Sequence, residues 1–374
     1  MKTPRRWTAI PLAAAAALAL SASAALAQGA AQGNFLEALA GPDGNVSFVA
    51  NRTPDGKAGA VRMKTKEDGA FERMEAEGAL ELKTPQFALL CRNLVFDGAA
   101  NRLEAWGDVR IDQQGLRATC GRMVYDVATK EILLSETPRV EQDSEGSKLV
   151  FEGMDRFRIV TREDGSNEVQ IDGGAEQIRI EFNQTGSGGS ATGGAAGLGA
   201  MGDTVRIAVS PRGDTPGKVL TTVRQSQLHT FNALGSVRVQ TDTFDLRSDQ
   251  LAFDNSRQRL EALSNVFLKQ EDIDADCSRM EYALDTDVIT LTGNPVVRKS
   301  SPEGRTLIRQ LERFVIRRNP NGTVTTDMAA PPGLSPDINF QQPADGPVRN
   351  GDAPTTAPLE IRLDDPSAVD AIPG

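Results

Sequence analysis

The sequence contains few of the residues on which catalytic and metal sites usually depend. It has one histidine, His229, and three cysteines in 374 residues. His229 has no cysteine or carboxylate cluster at ligand spacing, so we expect it to be a structural or surface residue. The patterns GxSxG, HExxH and CxxC and the phosphate-loop signature are also absent. The sequence therefore predicts a protein that is not an enzyme and that needs no metal or cofactor.

Long apolar runs are absent after residue 27, so no later stretch has the length of a spanning helix. The N-terminus instead has the pattern of a secretory signal. Lys2, Arg5 and Arg6 precede an apolar segment, and Ala25-Leu26-Ala27 supplies small residues for cleavage near Ala27. We expect residues 1–27 to be removed on export. In a bacterium with two membranes the mature protein is then periplasmic.

Basic residues are too few for nucleic-acid binding. The chain has 41 Lys and Arg against 51 Asp and Glu, and removal of the three basic signal residues leaves 38 against 51, a net charge of −13. Nucleic-acid binding depends on clustered Lys and Arg that neutralise phosphates. An acidic chain of this kind is predicted to have no nucleic-acid partner.

Two segments have compositions that do not favour a packed core. Nine of the 20 prolines lie from Pro331 onward, and we expect residues 321–374 to form a Pro-rich disordered tail. Residues 184–202 are rich in glycine and predict a linker or long loop. The remaining sequence divides into two units, residues 45–183 and 203–320.

The two units are related in sequence. A shift of 157 residues aligns Cys120 with Cys277, and it aligns Arg102-Leu103-Glu104-Ala105 with Arg259-Leu260-Glu261-Ala262. A shorter shift of 29 residues aligns Ala76 with Ala105 and Cys91 with Cys120. Such periods are typical of stacked units that each bury one apolar face against a neighbour. We interpret the chain as a duplication.

Each unit has the pattern of short β-strands. Val109 and Ile111 alternate with charged residues, and so do Ile273, Ala275 and Cys277. The apolar parity changes between residues 120 and 123, which predicts a bulge or a corner. Aromatic residues make up 5% of the chain, so the apolar side should be mainly aliphatic. The predicted fold class is all-β.

The repeated residues resemble the OstA-like family of lipopolysaccharide-transport proteins of the periplasmic LptA type. The segment from Ala105 to Ile111, the Tyr125-Asp126 turn and Pro138-Arg139-Val140 are similar to the pattern of that family. The second unit has Ala262, Tyr282 and Gly293 at the matching places, together with Val266, Thr286, Ile289, Leu291, Pro295 and Val297. Each unit departs once where the family prefers glycine, at Glu136 and at Ser264.

The resemblance implies an open, taco-like β-jelly roll in which two sheets of short strands enclose an apolar groove for lipid. Each unit then contributes a matching set of inward residues to this groove. The lining would be Val109, Ile111, Leu116, Ala118, Met123, Tyr125, Ile132 and Leu134 in the first unit, and Val266, Leu268, Ile273, Ala275, Met280, Tyr282, Ile289 and Leu291 in the second. The same residues are equally compatible with an ordinary sandwich core.

The resemblance also implies partners. The cargo would be a lipid or lipopolysaccharide, and unpaired edge strands would dock other jelly-roll modules of an export bridge or a second copy of the chain, head to tail. If each 29-residue unit adds one rung of ~4.8 Å, about nine rungs reach only about 40 Å. The sequence also contains a basic cluster that has two possible roles. It either contacts lipid phosphates beside the groove or forms a solvated face that balances the acidic surface. The cluster consists of Arg298, Arg305, Arg309 and Arg313, with Lys299, Arg317 and Arg318 near them.

Other residues suggest sites that we consider weaker. Cys91 and Cys120, one short period apart, should be neighbours on stacked rungs, either as a disulfide or as buried thiols. Cys277 should be an unpaired core residue. Asp272, Asp274 and Asp276 are compatible with Ca²⁺ binding, but they fit a solvated strand face better.

These patterns lead to one main hypothesis and two rivals. The main hypothesis is a periplasmic, non-catalytic lipid-binding protein that carries lipopolysaccharide toward the outer membrane. The first rival is a structural or adhesive β-solenoid with a sealed core and no lipid cargo. The second is a polysaccharide-acting β-helix enzyme, which requires a carboxylate cluster in an exterior cleft.

Overall fold

The computed structural model describes residues 47–65, 71–83, 88–113, 116–126, 128–144, 147–164, 166–184, 204–224, 227–241, 244–301, 304–318 and 323–341. The regular structure in these ranges is all β-strand, which confirms the predicted fold class. Within them no helix has the length and apolar character needed to cross a membrane. The predicted signal peptide and all but residue 184 of the predicted Gly-rich segment lie outside the described residues.

Twenty-four strands follow one another in two series of twelve. The first series is β1 (Ser47–Asn51), β2 (Ala60–Thr65), β3 (Phe71–Lys83), β4 (Ala88–Asp97), β5 (Arg102–Gln113), β6 (Leu116–Asp126), β7 (Glu131–Ser135), β8 (Arg139–Ser144), β9 (Ser147–Glu152), β10 (Arg156–Thr161), β11 (Asn167–Asp172) and β12 (Ile178–Gln184). The second series is β13 (Thr204–Ser210), β14 (Lys218–Arg224), β15 (Gln227–Gln240), β16 (Phe244–Asp254), β17 (Arg259–Gln270), β18 (Ile273–Ala283), β19 (Val288–Thr292), β20 (Val296–Ser301), β21 (Gly304–Arg309), β22 (Arg313–Arg318), β23 (Val324–Ala329) and β24 (Asp337–Gln341). Each strand of the second series begins 156 to 159 residues after its counterpart in the first.

The long strands β3 to β6 and β15 to β18 bend midway, so that their two halves lie in different sheets. In β6, Met123 and Tyr125 pair with β7, whereas Leu116 and Ala118 pair with β8. The register between β5 and β6 shifts between Trp106 and Val109. The corner that the parity change predicted is therefore present.

The pairings build two facing sheets. Here a rung is one long strand, or two short strands joined by a corner. In spatial order, sheet 1 contains β2, β3, β4, β5, β6, β7, β10, β11, β14, β15, β16, β17, β18, β19, β22 and β23. Sheet 2 contains β1, β3, β4, β5, β6, β8, β9, β12, β13, β15, β16, β17, β18, β20, β21 and β24. Because β6 and β15 belong to both sheets, they and the eight short strands between them pair in a closed circuit of ten strands.

The roll is longer than the sequence predicted. Each sheet has sixteen rungs, and fifteen steps of ~4.8 Å give a length of about 70 Å. The expectation of about nine rungs and 40 Å is wrong, because one 29-residue period contains two rungs. The chain runs out along one strand and returns along the next, as from β3 through β4 to β5.

The two sheets are joined covalently along one side only. All the corners lie on this side, for example residues 135–139 between β7 and β8 and residues 292–296 between β19 and β20. We call it the spine. On the opposite side, which we call the open side, hairpin turns such as 126–131 return each strand to its own sheet.

Hydrogen-bonded ladders cross from the first series of strands to the second without a break. In sheet 1, β11 pairs with β14 over six residue pairs, and in sheet 2, β12 pairs with β13 over six. The two predicted units therefore share continuous sheets. The segment between residues 184 and 204 connects two strands that are direct neighbours.

The second series continues beyond the predicted start of the tail. β23 pairs with β22 and β24 pairs with β21, and they are the counterparts of β11 and β12. The predicted boundary at residue 321 is therefore wrong. Proline content suggested a tail, but Pro331 and Pro332 lie in the corner between these two strands. Residues 342–374 lie outside the described residues, and a disordered tail there stays a prediction.

One apolar cluster fills the space between the sheets along the roll. It contains inward residues of both series, such as Leu94, Val109, Ile180, Val209 and Leu268, each at most 3% exposed. Most members are aliphatic, as the low aromatic content predicted. The burial of this face supplies the driving force for stacking the rungs.

Corner packing explains one departure from the family pattern. Glu136 has a φ of 63°, in the left-handed region, and a Cβ added to Gly121 would lie 2.6 Å from its Cβ. In the second series the roles are exchanged: Gly293 has a φ of 77°, and a Cβ on it would lie 2.6 Å from the Cβ of Ser278. Each of these corners has room for one side chain, so Glu136 is tolerated because Gly121 faces it.

The cysteines occupy corners too. Ser248 and Cys277 donate side-chain hydrogen bonds to the carbonyl oxygens of Gln250 and Arg279, two residues further on. Cys91 and Cys120 lie 157 residues before Ser248 and Cys277, at the matching corners. All three cysteines are buried free thiols, and burial raises the pKa of each to about 12.

Cys91 and Cys120 are not neighbours, contrary to the sequence prediction. β5 lies between β4 and β6, so the two cysteines are two strand steps apart, or about 10 Å. A disulfide needs Cα atoms within about 7 Å. The prediction failed because it assumed one rung in each 29-residue period.

The packing can be tested by moving the glycine from one of the two facing positions to the other. We expect Gly121→Ser to lower the free energy of unfolding by about 1–3 kcal/mol, because its Cβ overlaps Glu136. Glu136→Gly in the same chain should restore most of the loss. Denaturant titration of the single and double variants measures the coupling, and Gly293→Glu with Ser278→Gly is the mirror control. If the two substitutions changed the free energy of unfolding additively, the conclusion that each corner has room for one side chain would be contradicted.

Thiol reactivity tests the corner cysteines. Since the thiolate is the reactive form and burial raises each thiol pKa, the native protein should react very slowly with a thiol reagent at pH 8, and the denatured protein should react at three sites. Cys120→Ser should be tolerated, because Ser248 fills the same type of corner. Cys120→Val, which cannot donate, should cost about 1 kcal/mol of stability. Fast labelling of the folded protein would contradict the described burial.

Candidate functional site

The predicted lining residues all lie in the space between the two sheets. Thirteen of the sixteen are buried, and Ile111, Ile132 and Tyr282 are partly buried and pack against the same cluster. The structure therefore brings both halves of the predicted lining into one continuous apolar interior. This arrangement fits a packed core and also fits a lining that is closed until lipid enters, so the lining role stays a prediction.

A cleft opens between the sheets on the open side, near the C-terminal end of the roll. Its enclosed volume is about 40 Å³, and the figure rises to about 420 Å³ when the open solvent around its mouth is included. The floor is apolar and consists of Ile273, Ile289 and Ile316, and Val324, which is 42% exposed, lies at the mouth. Ile273 and Ile289 belong to the predicted lining, so the cleft leads directly onto the inward stripe.

The rim of the cleft is charged. It is formed by Gln270, Glu271, Asp272, Asp287, Lys299 and Arg318. The Arg318 guanidinium donates from Nη2 to the Glu271 carboxylate at 3.0 Å. Arg318 is on sheet 1 and Glu271 is in a turn of sheet 2, so this ion pair bridges the two sheets across the mouth. Because the Glu271 side chain is 55% exposed, the pair should contribute no more than about 1 kcal/mol.

A tyrosine hydroxyl is fixed beside the mouth. Tyr282 donates to a carboxylate oxygen of Asp287 at 2.8 Å. Desolvation by burial and the charge of Asp287 raise the pKa of this phenol, so it stays protonated and remains a donor at neutral pH. On the side of the cleft formed by sheet 2, the Lys299 Nζ atom lies 3.7 Å from the Asp272 Oδ2 atom. The charged groups of the rim therefore have partners within the protein.

The first series has a different polar arrangement in the corresponding place. Tyr125 and Gln142 are 1% and 2% exposed, and the Tyr125 Oη and both amide atoms of Gln142 have no hydrogen-bond partner. The positions 157 residues later are Tyr282 and Lys299, whose polar groups do have partners. A buried polar group without a partner costs about 1–3 kcal/mol.

The predicted basic cluster is only partly at the cleft. Arg298, Arg305, Arg309 and Arg313 alternate with inward residues of their strands and lie on the outer faces of the sheets. Arg298 pairs with Asp276. Lys299 and Arg318, from the same cluster, line the cleft. A phosphate role for the four outer arginines stays a prediction.

Metal binding receives no support from the described ranges. No group of three or more His, Cys, Asp or Glu side chains there has the geometry of a metal site. Asp272 and Asp276 of the considered Ca²⁺ triplet lie within 4 Å of Lys299 and Arg298. Asp276 therefore lies on a strand beside Arg298, whereas Asp272 precedes that strand at the rim of the cleft.

Both ends of the roll present edge strands. Within the described residues β1 and β2 pair only with β3, β23 pairs only with β22, and β24 pairs only with β21. These edges carry exposed apolar side chains, Met63 at 63% and Phe340 at 56%. Exposed edges with apolar side chains are suited to pairing with another strand.

Sequence reasoning missed Glu271 at the cleft rim and the buried Gln142, and it placed Tyr125 in the lining without showing that its hydroxyl has no partner. Glu271 and Arg318 are 47 residues apart in sequence, and they approach each other only because the two sheets face each other. Gln142 lies at an inward position between Val140 and the turn after β8, so the period-2 pattern alone marks it as a polar residue in an apolar stripe.

No curated protein matches the chain in a comparison with known sequences. Residues 221–311 match the family described as LptA/(LptD N-terminal domain) LPS transport protein. The matched region runs from β14 to the end of β21 and includes most of the cleft residues. The resemblance that the repeated residues indicated is therefore confirmed for residues 221–311: this part of the chain is similar to the LPS-transport family.

Proposed function

We propose that the protein is a periplasmic, non-catalytic carrier that holds the acyl chains of lipopolysaccharide between its two sheets. The observation that carries the proposal is the cleft on the open side. It has an apolar floor that continues into the inward stripe, and it lies largely within the region similar to LPS-transport proteins.

The chemistry of the interior suits acyl chains. Burying one CH₂ group contributes about 0.8 kcal/mol, so ten methylenes gain about 8 kcal/mol before ordering costs. Inward aliphatic contacts between the sheets can be replaced by contacts with a hydrocarbon chain of similar character. Breaking the exposed Arg318–Glu271 ion pair costs little by comparison.

The geometry favours opening on the side away from the spine. Covalent corners hold the sheets together along the spine, whereas hairpin turns on the open side keep each sheet separate. Lipid entering at the cleft would part the sheets there, and the predicted lining would then contact the chains. This account makes Ile273 and Ile289 the first lining residues that cargo meets.

The internal junction suggests how further modules would dock. β13 and β14 pair with β12 and β11 at the junction, and β1 and β2 are their counterparts at the free end of the first series. The other free end has β24 and β23, the counterparts of β12 and β11. A second copy, or another jelly-roll module of an export bridge, would therefore add head to tail with the pairing that the chain already uses internally.

A sealed structural β-solenoid is the second candidate. The burial of thirteen predicted lining residues favours it, because a fully packed interior needs no cargo. The acidic net charge of the mature chain also opposes binding of an anionic head group at long range. The two candidates differ in whether the interior admits a chain.

Site-specific photocrosslinking separates these candidates. A photoreactive residue at Ile273 or Ile111 should crosslink to lipopolysaccharide, while the same residue at Leu90 or Leu234, exposed on the outer faces, should not. Mass spectrometry of lipids that copurify with the protein gives an independent readout. Equal labelling at inner and outer positions, or no copurifying lipid and no labelling, would support the sealed solenoid.

The ion pair across the mouth should influence the rate of loading. We expect Glu271→Gln to speed the binding of a fluorescent lipid by about twofold to fivefold, since the exposed pair contributes up to about 1 kcal/mol. Arg318→Gln should act alike, and the exchange of both residues, Glu271→Arg with Arg318→Glu, should slow loading again. Arg298→Gln, which breaks an outer-face pair with Asp276, is the control. Equal rates in Glu271→Gln and Arg298→Gln would exclude a role for the bridge.

A further inference from the structure

Tyr125 and Gln142, the two side chains of the first series without hydrogen-bond partners, lie on adjacent rungs of the roll. Tyr125 is in the half of β6 that belongs to sheet 1, and Gln142 is on β8 in sheet 2, one rung further along. Tyr125 pairs with Ile132 of β7, and β7 and β8 form one rung. The two polar side chains therefore face the same interior space from opposite sheets, near the open side.

Their neighbours in the strand pairing are all apolar. The residues paired with Gln142 are Leu116 and Leu149, and those paired with Tyr125 are Leu103 and Ile132. Tyr125 offers one hydroxyl, and Gln142 offers two amide donors and one acceptor. With none of these three polar atoms partnered, the site can both donate and accept hydrogen bonds beside apolar neighbours.

We propose that Tyr125 and Gln142 form a polar recognition site for an acyl chain that carries a hydroxyl or amide group. A plain hydrocarbon chain would leave the three polar atoms unpaired, whereas a chain with such a group would satisfy them. The second series lacks this property, because Tyr282 bonds Asp287 and the position of Gln142 is taken by Lys299, which lies beside Asp272. The inference rests on the proposed lipid-binding function and adds a ligand class and a location to it.

Because of this difference, the two series would have different roles: the second would admit the chain and the first would select it. The second series opens to solvent at the cleft and would receive chains through a rim whose charged groups are already paired. The first series holds the unpaired polar groups. A hydroxylated chain would thus enter at one end of the roll and be selected about two-thirds of the way along it, at the fifth and sixth of its sixteen rungs.

Two probes of equal chain length test the site. A saturated fatty acid and its hydroxylated form are titrated into the full mature chain against a fluorescent fatty acid. The native protein should bind the hydroxylated form about threefold to tenfold more tightly, the range of one net hydrogen bond. Tyr125→Phe combined with Gln142→Leu should abolish this preference, so that the two probes bind the variant equally. Tyr282→Phe, at the matched position of the second series, should keep the preference.

Several outcomes would overturn the inference. If the native protein binds both probes equally, the site has no selectivity, although the lipid-binding proposal survives. If the double variant keeps the preference, other residues cause it. If each single variant lowers the denaturation midpoint and the preference persists, the pair is a structural site held by buried water. If neither probe nor lipopolysaccharide binds the native protein, the proposed function fails as well.

Discussion

The structure depends on the need of each sheet to cover the apolar face of the other. Every strand carries one aliphatic face, and neither sheet can bury that face alone. The long strands meet this need by bending at a corner and entering both sheets, so that each half covers the other. Where the long strands end, pairs of short strands joined by a corner repeat the same geometry. The spine, the open side and the interior all follow from this one constraint.

The constraint also explains where polar and irregular residues are tolerated. Residues with positive φ concentrate at the corners and turns, for example Gly107, Asp108, Gly293 and Asn294. There the chain must change direction and one facing side chain must be absent. In the first series the glycine is Gly121, at the bend of β6, which faces the corner between β7 and β8. In the second series it is Gly293, in the corner between β19 and β20, which faces the bend of β18. Two solutions of the same packing problem therefore occur in one chain.

Much of the fold could be predicted from the sequence, because alternation and repetition are local signals. The parity change after Cys120 indicated the corner, and the inward residues from Val109 to Leu134 lie where period-2 alternation placed them. The number of rungs could not be read from the period, since a repeat length does not reveal that one period contains an outward and a returning strand. Composition misplaced the tail, because prolines at a corner and prolines in a tail look alike in sequence. The Glu271–Arg318 bridge depends on how the sheets face each other, which no local pattern specifies.

The unbroken pairing at the junction has a mechanical consequence. Across its width the molecule is reinforced by the polypeptide backbone, which passes from one sheet to the other at every rung. Along its axis, neighbouring rungs at the junction are held by two ladders of six residue pairs. The covalent link there spans residues 184 to 204, on one margin of the roll. Tension applied end to end is therefore borne almost entirely by hydrogen bonds and apolar contact. The roll is stiff against splaying at its spine and comparatively weak against stretching.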